Sequence, residues 1–197
     1  MTPFKHKHIR EQMVKIASQM IPLGTKAFDF QLKDVTSNQT KTLKETSFDK
    51  GLVVVFIRNK CPYVEPILGQ LIALAKEYQP KGIAFIAINS NDPTLYPDDT
   101  AEAMKAFAEK HHFPFPYLDD GEQVAAKGFG AVCTPDFFLF DQGLNCIYRG
   151  QFDDSRPENN LPVTGKDLKE ALDCLLAKKK VPDSQLPSHG CRIKWRT

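Results

Sequence analysis

The feature that most constrains the fold is an unbroken run of apolar side chains over residues 52–57. A strand with one face in water alternates apolar and polar residues, so this uniform run predicts a central strand that is covered on both faces. The chain then passes through residues 58–64 into residues 65–78, where apolar side chains recur at helical spacing. A buried strand that leads directly into a helix is typical of an α/β protein.

The alternation of strand and helix patterns continues along the chain. Further strands are predicted over residues 28–32, 40–43, 83–89, 115–118, 134–141 and 146–150. Further helices are predicted over residues 100–110, 121–127 and 165–178. Because parallel β-α-β units lead into an antiparallel hairpin, we predict an α/β sandwich with a mixed central sheet.

A length of 197 residues suits one domain with appendages. We predict an amphipathic helix over residues 1–20, the main domain over residues 21–180, and a tail over residues 181–197. The net charge is only +2 and the basic residues are dispersed, which argues against nucleic acid as a partner. No segment approaches the ~20 apolar residues of a membrane span, so we expect no membrane partner and a cytoplasmic location.

The five cysteines, at positions 61, 133, 146, 174 and 191, do not resemble a disulfide scaffold, because their number is odd and structural disulfides are rare in the cytoplasm. We therefore expect transient sulfur chemistry. Cys61 lies at the first turn of a predicted helix, where backbone N–H groups and the macrodipole favour a thiolate, and Arg58 and Lys60 add positive charge. These features predict a reactive thiol, against the alternative of a small buried hydrophobe.

Seven segments carry a resemblance to a known family. They are GTKAFDFQL (24–32), NKCPYV (59–64), INSNDP (88–93), FPFPYL (113–118), GAVCTPDFFLFD (130–141), YRGQFDDSR (148–156) and GCRIKW (190–195). With these segments in this order, the chain resembles the thioredoxin-fold redoxins. Within them it is similar to the peroxiredoxin-like group related to the alkyl hydroperoxide reductase and thiol-specific antioxidant proteins. The resemblance implies a thioredoxin-like α/β/α sandwich.

The resemblance makes Cys61 the catalytic nucleophile, at the first cysteine position of the thioredoxin Cys-x-x-Cys motif. The second position is Val64, so a dithiol within this motif is impossible. Typical peroxiredoxins have Pro-x-x-x-Thr-x-x-Cys, with the cysteine at what corresponds to Val64. If the motif is instead placed on Cys61, its Thr and Pro positions are occupied by Arg58 and Val54. The chain therefore does not match the peroxiredoxin motif either.

The resemblance also places the family's cis-proline at Pro135, which would set the Thr134 backbone beside Cys61 as an edge for an extended substrate to pair with. For Arg149, contact with substrate competes with a surface ion pair to Asp153 or Asp154. The predicted substrate contacts are Thr134, Pro135, Pro62, Tyr63 and Arg149.

A sulfenic acid or mixed disulfide at Cys61 needs a second thiol to resolve it. Cys133, two residues before Pro135, and Cys191, on a tail long enough to fold back, are both candidates. Cys146 and Cys174 are expected in the core. A metal site built from His189 and the cysteines lacks a preorganising spacing, so we expect no metal and no cofactor.

These observations predict a thiol-based oxidoreductase or antioxidant in which the Cys61 thiolate attacks a peroxide or a protein disulfide. A dithiol reductant such as thioredoxin, or glutathione, would complete the turnover. The alternative is a non-catalytic peptide-binding module or a redox sensor. Either a monomer or a homodimer is compatible with the sequence.

Overall fold

The computed structural model describes residues 15–46 and 48–196. Within these ranges the strands are β1 (Lys15–Ala17), β2 (Gln31–Asp34), β3 (Thr40–Thr42), β4 (Gly51–Phe56), β5 (Ile83–Asn89), β6 (Tyr117–Asp119), β7 (Cys133–Thr134), β8 (Asp136–Asp141), β9 (Cys146–Gly150) and β10 (His189–Arg192). The helices are α1 (Leu68–Tyr78), α2 (Ala101–Lys110), α3 (Val124–Phe129) and α4 (Lys166–Leu176). Short 3₁₀ turns cover Glu65–Ile67, Gln79–Lys81 and Pro97–Asp99.

Seven strands form a mixed sheet in the order β3-β2-β6-β5-β4-β8-β9. β4 runs parallel to β5 and antiparallel to β8, and all six of its residues are buried. Its side chains alternate between two cores: Val53 and Val55 face one, and Leu52, Val54 and Phe56 face the other. The prediction of a central strand covered on both faces is therefore confirmed.

Helices cover both faces of this sheet. α1, α2 and α4 contribute buried side chains to the core that contains Val53, whereas α3 contributes Ala125, Ala126 and Phe129 to the opposite core. This arrangement confirms the predicted α/β/α sandwich. α2 begins where its sequence predicts, because the hydroxyl of Thr100 accepts the N–H of Ala103 at 3.3 Å. None of the helices in the described ranges is both long and apolar enough to span a membrane.

A second, three-stranded sheet has the order β1-β10-β7. The helix predicted for residues 1–20 is wrong at Lys15–Ala17, which form strand β1; the rest of that prediction, residues 1–14, lies outside the described residues. Ile16 lies opposite Gly190 of β10, so pairing with a strand distant in sequence overrides the local helical pattern. The segment predicted as a tail is thus built into the fold.

Gly190 permits the close approach of β10 to β7. A Cβ atom at this position would lie 2.0 Å from the carbonyl oxygen of Thr134. This oxygen is a backbone atom, so it cannot move away by a change of side-chain rotamer. By contrast, a Cβ atom at Gly69, in the first turn of α1, would meet nothing within 4 Å. The two glycines therefore form a matched pair for testing how tightly β10 is packed.

We predict that Gly190→Ala lowers the free energy of unfolding by about 1–3 kcal/mol, because β10 must move away from β7. Gly69→Ala should be neutral or stabilising, by up to about 1 kcal/mol, since alanine favours a helix over glycine. Chemical denaturation of both variants measures the difference. Equal stability of the two variants would contradict the close packing of β10.

Candidate active site

The sulfur of Cys61 is buried where the chain leaves β4 and turns towards α1. The N–H groups of Val64 and Glu65 both donate to the carbonyl oxygen of Cys61 at 2.9 Å, so Cys61 begins the turn that precedes the Glu65–Ile67 3₁₀ segment. Its Sγ atom lies 3.4 Å from the Thr134 carbonyl oxygen, and the Thr134 hydroxyl donates to Sγ at 3.5 Å. Cys61 and the residue before Pro135 are thus in direct contact.

The thiol of Cys191 is the second sulfur at this site. In the register of the second sheet Cys191 lies directly opposite Thr134, and residues opposite one another in an antiparallel pair point to the same face. Cys191 and Thr134 therefore both point towards Cys61, and the thiols of Cys61 and Cys191 each shift the pKa of the other. Both cysteines are fully buried and free.

The two thiols have pKa values displaced in opposite directions. Burial raises the pKa of Cys61, but hydrogen bonds from Cys191, from the Thr134 hydroxyl and from the Tyr63 N–H, together with the charge of Arg58, bring that pKa down to about 6. The hydrogen bond to Cys61, followed by burial, raises the pKa of Cys191 well above its ordinary range. One sulfur is therefore a thiolate at neutral pH, and the other is the thiol that donates to it.

Arg58 supplies the positive charge nearest to this pair. Its side chain is only 4% exposed, and its guanidinium lies 5.5 Å from the ring centroid of Tyr96. Nη2 donates to the carbonyl oxygen of Lys60 at 3.4 Å, whereas Nε and Nη1 have no hydrogen-bond partner within the described part of the chain. The ammonium group of Lys60 points outwards and pairs with Asp98 at 2.6 Å.

The Thr134–Pro135 peptide bond is cis. The edge of β7 that was predicted to receive an extended substrate is already occupied, because β10 pairs with Cys133 and Thr134. That prediction needs correction: the strand partner of Thr134 is a segment of this same chain. The sequence could not reveal this pairing, since 54 residues separate β7 from β10 and neither strand is long.

Cys133 points away from Cys61, because successive side chains of a strand alternate and Thr134 already faces that way. Its Sγ atom lies 3.8 Å from the Pro135 carbonyl oxygen. Burial, followed by the charge of Asp136, raises the pKa of Cys133 well above that of an ordinary thiol. Of the two candidate resolving cysteines, the geometry brings Cys191 to Cys61, and Cys133 has the environment of a core residue.

Arg149 does not lie at a surface, so the predictions of a surface ion pair and of substrate contact are wrong for this residue. Its guanidinium is fully buried, pairs with Asp136 at 2.9 Å and lies 3.9 Å from the ring centroid of Phe138. Asp154 pairs with Lys166 instead. The signal that could have revealed the pair is Asp136 itself, because a carboxylate inside an otherwise apolar strand needs a buried cation.

A cavity of about 230 Å³ lies beside residues that are close in sequence to Cys61, Thr134 and Cys191, and neither sulfur lines it. Two of the predicted substrate contacts, Tyr63 and Pro135, line it, whereas Pro62 does not. Its other walls are Pro66, Ile67, Gln151, Phe152, Asp153, Ser155, Arg156, Pro157, Leu161, Val163, Ser188 and His189. The cavity thus reaches Tyr63, which is two residues after Cys61, and Pro135, which follows Thr134.

The remaining cysteines lie away from this site. Cys146 is buried in the core that contains Phe129, and Cys174 is half-buried on α4 against the other core. No cluster of three or more His, Cys, Asp or Glu side chains suited to a metal ion occurs among residues 15–46 and 48–196. His189 lines the cavity described above, and burial lowers its pKa.

We predict that Cys61 is alkylated with a midpoint near pH 6, because the thiolate is the reactive form and its pKa is about 6. Cys191→Ala removes the donor that stabilises this thiolate, so the midpoint should move upwards, towards that of an ordinary thiol. Rates of iodoacetamide labelling at Cys61, followed by mass spectrometry between pH 4 and 10, measure the shift. An unchanged midpoint in Cys191→Ala would show that Cys191 does not stabilise the thiolate.

We also predict that Arg149→Met costs about 3–5 kcal/mol of unfolding free energy, because the buried carboxylate of Asp136 loses its cation. Replacing both partners, with Arg149→Met and Asp136→Leu together, should recover much of that loss. Lys180→Met, which removes the exposed Lys180–Asp183 pair, is the control and should change stability little. Denaturant titrations compare the variants, and equal losses in Arg149→Met and Lys180→Met would refute the prediction.

Comparison with solved structures identifies proteins that are similar over most of the chain. An uncharacterized conserved protein from Geobacillus kaustophilus is 48% identical with a TM-score of 0.92, over 93% of this chain and 97% of that chain. Peroxidoxin BcpB from Mycobacterium tuberculosis is 19% identical with a TM-score of 0.60, over 80% of this chain and 98% of that chain. The second likeness concerns the fold alone, which is thioredoxin-like.

Sequence comparison identifies the family. Thiol-disulfide oxidoreductase ResA from Halalkalibacterium halodurans is 25% identical over 119 residues, and the match covers 60% of this chain and 62% of the length of that relative. The profile of the AhpC/TSA family matches residues 23–148, which include Cys61, Thr134 and Pro135. The chain therefore belongs to the AhpC/TSA family of redoxins.

Proposed function

We propose that this protein is a thiol–disulfide oxidoreductase whose redox couple is Cys61 and Cys191. The observation that carries the proposal is the register of β10, which pairs Cys191 with Thr134, the residue whose carbonyl oxygen and hydroxyl contact the Cys61 sulfur. The couple replaces the dithiol that Val64 makes impossible within the Cys-x-x-Cys motif. The relationship to thiol-disulfide oxidoreductase ResA supports the same reaction class.

In the first step the Cys61 thiolate attacks one sulfur of a substrate disulfide, R–S–S–R. A bond forms between Cys61 and that sulfur, the substrate S–S bond breaks, and R–S⁻ leaves and takes up a proton. A pKa of about 6 makes Cys61 mainly ionised at pH 7, yet leaves it basic enough to be a good nucleophile.

In the second step Cys191 attacks the Sγ atom of Cys61. The hydrogen bond to the Cys61 thiolate is the largest cause of the raised pKa of Cys191. Once Cys61 has become part of a mixed disulfide, that anion is gone and Cys191 loses its proton more readily. The Cys61–Cys191 disulfide forms and the second R–S⁻ leaves, so the two protein thiols are oxidised and the substrate disulfide is reduced.

Glutathione or a small dithiol is the proposed reductant of the Cys61–Cys191 disulfide, by the same exchange in reverse. Such reductants are characteristic of the cytoplasm, which is the compartment that we propose. The oxidising substrate is a disulfide. The non-catalytic peptide-binding alternative is disfavoured, because β10 occupies the edge with which a peptide would pair.

Peroxide reduction is the second candidate function, supported by membership of the AhpC/TSA family. The Cys61 thiolate would attack R–O–OH, breaking the O–O bond, so that Cys61 becomes a sulfenic acid and R–O⁻ leaves as the alcohol. Cys191 would then displace water from that sulfenic acid. Both reactions therefore end in the same disulfide and differ only in the oxidant.

The proposal predicts one disulfide, Cys61–Cys191, when the protein is equilibrated in oxidised and reduced dithiothreitol and mapped by mass spectrometry. In oxidised glutathione, Cys191→Ser should retain a mixed disulfide on Cys61, because no second thiol resolves it. Cys61→Ser should form neither species. Hydrogen peroxide in place of the disulfide tests the second candidate.

Cys133→Ala and Cys174→Ser are the matched controls, and both should form the same disulfide as the unmodified protein. A disulfide between Cys61 and Cys133 would transfer the resolving role to Cys133. If no disulfide at Cys61 formed at any dithiothreitol ratio, the proposed couple would be refuted.

A further inference from the structure

We infer that the disulfide substrate of the Cys61–Cys191 couple is a low-molecular-weight compound that enters through the cavity beside Pro135, and is not an extended segment of a protein. This inference rests on the proposed function and specifies its substrate class. It follows from three features of the described residues: an occupied strand edge, a firmly anchored β10, and a small, largely apolar cavity.

The first feature is the edge of β7. A protein segment that binds by strand addition needs a row of free backbone N–H and C=O groups. Here Cys133 and Thr134 are paired with Arg192 and Cys191. The opposite edge of β10 is paired as well, with β1, so on this side of β7 an incoming peptide meets no free edge.

The second feature is the anchoring of β10 on both sides of Cys191. Gly190 packs so closely on the Thr134 carbonyl that no side chain fits between them. The anchoring hydrogen bonds are Ser18 N–H to Ser188 O (2.8 Å), Ser188 Oγ to Gly150 O (2.7 Å), Ile193 N–H to Val132 O (2.9 Å), Lys194 N–H to Asn91 Oδ1 (2.9 Å) and Gln123 Nε2 to Lys194 O (2.7 Å). Displacing β10 would break these bonds together, so a peptide cannot easily take its place.

The third feature is the cavity. Its volume of about 230 Å³ is below the roughly 300–1,000 Å³ of sites that hold drug-sized ligands, and above the ~150 Å³ that suffices for benzene. It reaches Tyr63, whose N–H is hydrogen-bonded to the Cys61 sulfur, and Pro135, which follows Thr134. A small molecule there lies beside Tyr63 and Pro135, whereas β10 excludes a peptide from the side of β7 that it covers.

The lining of the cavity suits an uncharged organic disulfide. Ile67, Phe152, Leu161 and Val163 offer apolar contacts to its substituents. Arg156 lines the same cavity, and its N–H groups are held by the carbonyl oxygens of Asp153 and Ser155 at 2.6 Å. Its positive charge favours the thiolate that leaves when Cys61 attacks. In sum, R–S–S–R and the two protein thiols give two R–SH and the Cys61–Cys191 disulfide.

The test compares two oxidants of the fully reduced protein, bis(2-hydroxyethyl) disulfide and insulin. The rate of Cys61–Cys191 formation is measured by acid quenching and mass spectrometry. Each rate is divided by that of free glutathione with the same oxidant, which removes the intrinsic reactivity of the disulfide. We expect this normalised rate to be at least about tenfold higher for the small disulfide, because steric access governs exchange.

Two matched variants locate the route of entry. Leu161 is 50% exposed and lines the cavity, whereas Leu95 is 48% exposed and lies elsewhere. Leu161→Trp should slow oxidation by the small disulfide at least about fivefold by obstructing the cavity, and Leu95→Trp should leave the rate unchanged. Val163→Trp serves as a second obstruction of the same cavity.

Oxidation by insulin at an equal or higher normalised rate would overturn the inference, as would unchanged rates in both Leu161→Trp and Val163→Trp. Equilibration in dithiothreitol buffers separates this failure from failure of the proposed function. If the Cys61–Cys191 disulfide forms at equilibrium but these rate tests fail, only the substrate class is wrong. If it never forms, the couple itself is wrong.

Discussion

The pairing of β10 with β7, which sets Cys191 beside Cys61, is the constraint on which the chemistry of this site depends. The closeness of the two thiols lowers the pKa of Cys61 and raises the pKa of Cys191. Cys61 is therefore the nucleophile, and Cys191 is the thiol that stays protonated. The contact requires β10 to lie in one register, with Cys191 opposite Thr134. A shift of one residue would turn Cys191 to the other face of the strand.

Much of the fold could be predicted from the sequence, because local patterns determine it. The apolar run at residues 52–57 could only be a doubly covered strand, and the structure places β4 at the centre of the sheet with both faces buried. Thr100 marked the start of α2. β1 was missed because three residues carry too little periodicity to oppose a helical pattern, and their strand partner lies more than 170 residues further along the chain.

The site could be predicted less completely, since it depends on contacts between distant segments. The position of Cys61 after β4 indicated its environment, yet nothing local distinguished Cys133 from Cys191 as its neighbour. The predicted surface position of Arg149 was wrong for a related reason. Its sequence neighbours Asp153 and Asp154 suggested an ion pair, whereas the pairing of β8 with β9 directs it to Asp136 in the interior.

The late position of β10 in the chain has a consequence for biosynthesis. Strands β1 to β9 leave the ribosome before residues 189–192, so the large sheet can assemble while Thr134 still has a bare edge and Cys61 stands alone. During that interval the nascent protein holds an uncovered, unpartnered thiol beside an open strand. Until β10 docks, Cys61 therefore lacks the second thiol that lies opposite Thr134 in the folded protein.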